Sequence, residues 1–134
     1  MSKTNLQQQI TVHALPSKVW KVLTHSEYVN QYFLKESIHS NWMEGSPIIF
    51  HEEDNADTIG QVLESVPGML LKFKLYEENI SAFIITTYEL ILDGEGIELK
   101  IKCEGFSASQ QEYLIRVQQA KLLLQKIKWL SEYS

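Results

Sequence analysis

The chain has 134 residues, 44% of them hydrophobic and 22% charged, which fits one globular domain over 1–134 rather than a disordered or fibrous chain. Its formal net charge of −5, with no basic cluster, argues against nucleic acid or an anionic membrane as partner, because both reward a positive surface. No apolar run reaches the ~20 residues that cross a bilayer. Residues 1–9 are polar and unlike a signal segment, and the single cysteine, Cys103, excludes an internal disulfide, so a reducing, cytoplasmic setting is expected.

Taken in chain order, residues 8–14 place Ile10, Val12 and Ala14 in alternation with Thr11 and His13, which predicts a strand. Leu15-Pro16-Ser17 breaks it; Pro16 suits a helix start and Ser17 is a candidate cap. A short helix over 18–23 then carries Val19, Trp20, Val22 and Leu23, and a second is expected over 26–33, capped by Ser26. From 37 to 105 the period changes to two. One strand ends near Trp42, Met43-Glu44-Gly45 turns, and a strand runs over 47–52. Residues 54–57 read as a polar loop, 59–66 as a strand, and Pro67-Gly68 as a turn. Leu71, Phe73 and Leu75 alternate with Lys72 and Lys74. A β-rich run covers 81–92, and Asp93-Gly94-Glu95-Gly96 closes a hairpin. Ile97, Leu99, Ile101 and Cys103 then alternate with Glu98, Lys100, Lys102 and Glu104, the pattern of an antiparallel sheet with one face buried.

Residues 111–131 read as a helix. At about 100° per residue, Val117, Ala120, Leu124 and Ile127 fall within about 40° of Tyr113, forming a stripe suited to lie on the sheet. Ile115, Leu122 and Trp129 fall at about 160–200°, seven residues apart, the spacing of a seam between helices. Such a second stripe marks a contact surface for a second copy or a partner protein; the plainer alternative is three ordinary exposed apolar residues.

The order strand, two short helices, about six antiparallel strands and one long helix is the helix-grip, an α+β architecture in which a curved sheet wraps the C-terminal helix. Specific stretches carry a family resemblance. The segment ITVHALPSKVWKVLT resembles the opening strand and Val-Trp helix of START-like (SRPBCC) domains. WMEGSPIIF resembles their Trp, Gly, apolar-x-Phe hairpin, and GQVLESVPGMLLKF the following strand and Pro turn. TYELILDGEGIELKIKCEGF resembles the final hairpin ending in Gly-Phe. Together, over 10–132, they resemble the branch named for the activator of heat shock protein 90 ATPase and its bacterial homologues. The chain departs from that pattern where Ala120 and Leu75 stand at positions that in several members hold Trp. In a pocket these smaller residues would enlarge or reshape the space. The resemblance implies a Bet v 1-like fold of about six to seven strands. That fold hosts lipid carriers, cyclases, sensors and co-chaperone modules, so it does not settle function.

No catalytic constellation is visible. His51-Glu52-Glu53-Asp54 with Asp57 is the densest set of metal-ligand types, but neighbours on a strand point to opposite faces, so a solvated acidic loop is expected rather than a cation site. His13, His25, His39 and His51 are scattered, with no HExxH spacing, and read as surface or edge histidines. Cys103 reads as a buried structural thiol. No metal, nucleotide or other cofactor is expected, since no phosphate-cradling glycine loop occurs either. Trp42, Ile48, Phe50, Phe73, Tyr88, Leu90 and Leu99 are expected on the inner sheet face. With Tyr113, Val117, Ala120 and Leu124 they would either line an apolar pocket for a small hydrophobic ligand or fill the core. The functional expectation is therefore a non-catalytic binding domain, with a protein-interaction module as the alternative.

Overall fold

The computed structural model describes residues 4–32, 38–52, 54–77, 82–106 and 109–134. Their elements are β1 (Thr4–Val12), α1 (Pro16–Thr24), α2 (Ser26–Tyr32), β2 (Ile38–His39), β3 (Pro47–Glu52), β4 (Asn55–Val66), β5 (Leu70–Glu77), β6 (Ala82–Asp93), β7 (Gly96–Phe106) and α3 (Gln110–Tyr133). The strands make one antiparallel sheet in the order β1-β7-β6-β5-β4-β3-β2. β3 through β7 lie beside one another in chain order, while β1 joins β7 at the far edge. This is the helix-grip expected from the order of elements.

The period-two pattern becomes the two faces of this sheet. Ile97, Leu99 and Ile101 on β7, Leu71 and Phe73 on β5, and Tyr88 on β6 are all at most 1% exposed. The alternating Lys102 and Glu104 stay on the outer face, where they pair at 3.7 Å. The β6–β7 hairpin closes as its sequence predicts: Asp93 pairs with Gly96, and Gly94 takes the positive φ of 63° that the two-residue turn requires.

α3 has 24 residues, about 36 Å at 1.5 Å per residue. Its start is fixed by Ser109, whose hydroxyl accepts a hydrogen bond from the Glu112 backbone N–H at 3.2 Å. Its buried stripe, Ala120, Leu124, Ile127 and Leu130, packs closest on β1 and α1, with lighter contact to α2 and β7. The last turns are tied to the β1 end: Lys128 donates to the Thr11 carbonyl at 2.7 Å and pairs with Glu132 at 2.6 Å, while Glu132 accepts from the His13 backbone N–H at 2.7 Å. The Lys128 ammonium and that N–H together hold the Glu132 carboxyl below its usual range.

Several boundaries differ from the sequence reading. β1 begins at Thr4 rather than residue 8 and ends before Ala14, because Leu6, opposite Cys103, extends the buried alternation past the polar glutamines. α1 is capped by Leu15, not Ser17, without a side-chain hydrogen bond; Pro16 has no N–H to satisfy, and the Leu15 carbonyl accepts from Lys18 and Val19. Trp42 lies outside any strand: β2 stops at His39, and Trp42 sits at φ 54° with its N–H held by Ser40 and its carbonyl by Ser65. The polar loop at 54–57 shrinks to a turn, since Asn55 already pairs with Glu52 in the β3–β4 ladder. Phe33, Ser37, Glu53 and Ser81 lie outside the described residues.

β4 and β5 approach most tightly at Gly60. At Gly60 a Cβ would sit 2.0 Å from the Lys74 carbonyl oxygen and 2.9 Å from a Leu75 methyl. The ladder slips nearby, between Ile48 and Ile49 and again between Val62 and Glu64. Gly60→Ala should therefore destabilise the protein by about 1–3 kcal/mol, the cost of overpacking a site that only backbone shifts can relieve. Urea denaturation would read this as a lower midpoint; an unchanged midpoint would show that this close approach relaxes without cost.

Candidate functional site

The concave face is where the sequence placed its candidates, and the structure gathers them there. Ile48, Phe73, Tyr88, Leu90 and Leu99 project inward from β3, β5, β6 and β7, and all are buried. Trp42 reaches the same core from its loop, meeting Phe73 edge-on with ring centroids 5.7 Å apart. Phe73 in turn lies 6.2 Å from Tyr88. From α3, Ala120 and Leu124 are buried in the same core cluster.

Phe50, Tyr113 and Val117 are only half-buried, as are Leu75 and Cys103. Four of these five gather toward the first half of α3 and the β5–β7 end of the sheet. There Arg116 crosses from α3 to Glu77 at the end of β5, donating two hydrogen bonds of 2.7 and 3.2 Å. The Glu77 carboxylate raises the Arg116 guanidinium further above its ordinary value. The sequence reading did not single out this pair, since 39 residues separate its members. Cys103 lies close enough to feel both charges. Burial pushes its thiol up, and Thr86 lies 4.0 Å away, so Cys103 is a half-buried inner-face thiol without nucleophilic activation.

Two buried tyrosines give the core its polar character. Tyr32, from α2, is 1% exposed and donates to the Leu23 carbonyl at 2.8 Å. The sequence reading does not single out Tyr32. Its position only three residues after Val29, the other buried residue of α2, is the signal that could have marked it as core-facing. Tyr88 is fully buried, and its hydroxyl has no hydrogen-bond partner among the described residues. Burial drives both phenols above their ordinary value, and for Tyr88 the nearby Tyr32 and Cys103 add to the effect.

The other candidates lie on outer surfaces. Ile115, Leu122 and Trp129 are 52%, 56% and 53% exposed, so the second stripe of α3 faces away from the sheet. Trp129 is flanked by its own helix, with Lys126 over its ring at 5.2 Å and Tyr133 at 6.2 Å. A shallow hollow of about 250 Å³ lies on the convex side of the sheet, among Pro47, Thr58, Gln61, Lys74 and Phe83. Among the described residues no three His, Cys, Asp or Glu side chains converge as a metal site. The histidines are less scattered than they read: His39 and His51 come together on the outer face, with ring centroids 5.0 Å apart.

The two tyrosines should respond oppositely to loss of the hydroxyl. Tyr88→Phe removes a buried polar group that no described residue satisfies and should stabilise the protein by about 1 kcal/mol. Tyr32→Phe orphans the Leu23 carbonyl and should destabilise it by about 1 kcal/mol. Paired denaturation curves test this; equal shifts of the same sign would contradict the assignment of the two hydroxyls.

Comparison with known proteins places this geometry. The family described as "Activator of Hsp90 ATPase homolog 1-like protein" matches residues 13–131. No curated protein matches the chain. Among solved structures, a protein from Cytophaga hutchinsonii superposes with a TM-score of 0.79 at 19% identity, covering 96% of this chain and 94% of that one. The Aha1 dimer from Colwellia psychrerythraea gives 0.76 at 14% identity, covering 97% of both chains. Ara h 8.0201 gives 0.71 at 11% identity, covering 97% of this chain and 98% of that one. At these identities the likeness is one of fold, and it is the Bet v 1-like helix-grip described above. Among the described residues no helix is long and apolar enough to cross a membrane. The family match over most of the length, on this fold, shows that the chain belongs to the activator of Hsp90 ATPase homolog 1-like family of START-like (SRPBCC) proteins.

Proposed function

We propose that the chain is a single, non-catalytic START-like binding domain that takes a small hydrophobic ligand between the concave sheet face and the first half of α3. The observation that carries this reading is the Tyr88 hydroxyl, fully buried and without a protein partner among the described residues. A buried hydroxyl left this way costs about 1–3 kcal/mol, which a ligand hydroxyl or carbonyl would recover. The half-buried Leu75, Cys103, Tyr113 and Val117 give the approach, and the Arg116–Glu77 bridge spans it. Ala120, a small residue buried on the inner side of α3, supports the same reading by asking less room of the core than a larger side chain would. A cytoplasmic setting fits the lone thiol.

Naphthol and naphthalene, which share an apolar ring system and differ by one hydroxyl, make a suitable probe pair for titration by intrinsic fluorescence. The wild type should bind naphthol more tightly, and Tyr88→Phe should erase that preference, on the order of tenfold for one neutral hydrogen bond. Ala120→Trp should abolish binding of both while keeping its melting temperature. A large drop in melting temperature would instead mean a solid core with no room there.

A second reading is favoured by a separate observation, the exposed Ile115, Leu122 and Trp129. Their seven-residue spacing is self-complementary across a two-fold axis, so the occupant that fits best is a second copy of α3. A partner protein is the alternative occupant. The Colwellia psychrerythraea structure is itself described as a dimer. Light scattering should give twice the chain mass for the wild type and the single mass for the Leu122→Glu, Trp129→Ser double variant. Identical single masses would rule out self-association.

A further inference from the structure

We propose that His39 and His51 form a two-imidazole chelate for an exchangeable late first-row divalent ion, zinc, nickel or copper, on the outer edge of the sheet. In the β2–β3 ladder Ile38 pairs with Phe50 and His39 with Ile49, so His51 is the diagonal neighbour of His39 on the same face. Ile38 is buried on the concave side; both histidines are exposed on the other. Their rings stand 78° apart in plane, with centroids separated by 5.0 Å.

That separation is what a shared metal asks for. Zinc holds an imidazole nitrogen at about 2.0–2.1 Å, and the ring centre lies roughly 1.1 Å beyond, so each centroid sits about 3.1 Å from the ion. Two such rings at a tetrahedral angle have centroids about 5 Å apart. The chelate then requires that rotation about the side-chain torsions turn one nitrogen of each ring toward a common point. On β4, the strand beyond, Ala56 is opposite His51 and Thr58 opposite Ile49, both exposed and short, which leaves the space above the rings open.

The donor set defines the ion. Two neutral nitrogens suit zinc, nickel and copper, and offer little to magnesium or calcium, which ask for oxygen. With two protein donors, water fills the remaining positions, so the ion exchanges rather than residing as a structural metal. Bound, it would link β2 to β3 and so clamp a strand only two residues long. Binding to the folded chain alone also raises its stability.

The test uses untagged protein titrated with zinc chloride by calorimetry, with melting curves alongside. The wild type should take one zinc per chain and melt higher with zinc than without. His39→Gln and His51→Gln should each weaken binding by at least about tenfold and lose the zinc-dependent rise in melting temperature. A His13→Gln, His25→Gln double variant should match the wild type. Unchanged metal-free melting temperatures confirm that the variants fold, since both rings are at the surface. No zinc uptake by the wild type, full uptake by His39→Gln, or loss of uptake in the His13/His25 control would overturn the proposal.

Discussion

One helix has to close the concave side of a seven-stranded sheet, and most of the structure follows from how it manages this. A helix with its side chains is about 10–12 Å across, and strands are spaced about 4.8 Å apart, so α3 covers little more than two strands directly. It lies along β1 and α1. The remaining inner surface must be reached by curvature and by bulk. Gly60 lets the Lys74 carbonyl approach where any side chain would collide. Trp42, Phe73, Tyr88 and Tyr32 supply bulk, from a loop, two strands and α2. The candidate binding region is the part of the concave face that α3 does not cover closely, so the site is a product of the same shortfall that shapes the fold.

The fold was legible because its strongest signals are local. Alternation over Ile97–Cys103, the Gly94-Glu95 turn and the apolar stripe of α3 each specify their element without outside help. What was not legible depends on distant partners. Ser17 is a better capping residue than Leu15 by type, yet the register of Pro16 decided the helix start. Trp42 looks like a strand residue, but two serine hydroxyls hold its backbone in the left-handed region. The inner-face candidates were readable from period two, whereas the unsatisfied Tyr88 hydroxyl, the Arg116–Glu77 bridge and the His39–His51 pair all need the three-dimensional register. Alternation tells which face a residue takes and not whom it meets there.

α3 is apolar on two opposite sides. One side is spent on the core; the other presents Ile115, Leu122 and Trp129 to solvent. Apolar residues on opposing faces cancel in a one-sided measure of amphipathicity, so a helix of this kind looks weakly patterned although each face is well defined. Core-building and surface exposure thus reside on separate faces of one element, and changes on one face leave the other chemically intact.

The two rims of the sheet are treated differently. At one rim β2 is two residues long and β3 opens with Pro47, which has no N–H to offer a neighbouring chain. At the other, Lys128 and Glu132 occupy the Thr11 carbonyl and the His13 amide, closing the end of β1 to further pairing. Among the described residues, strand-by-strand growth into a larger sheet is therefore left chiefly the stretch of β1 before Thr11, which carries the uncharged Gln7, Gln8 and Gln9. Any drift of this protein toward fibrous aggregation would start from that short polar segment, and a lysine placed within it would act as a gatekeeper.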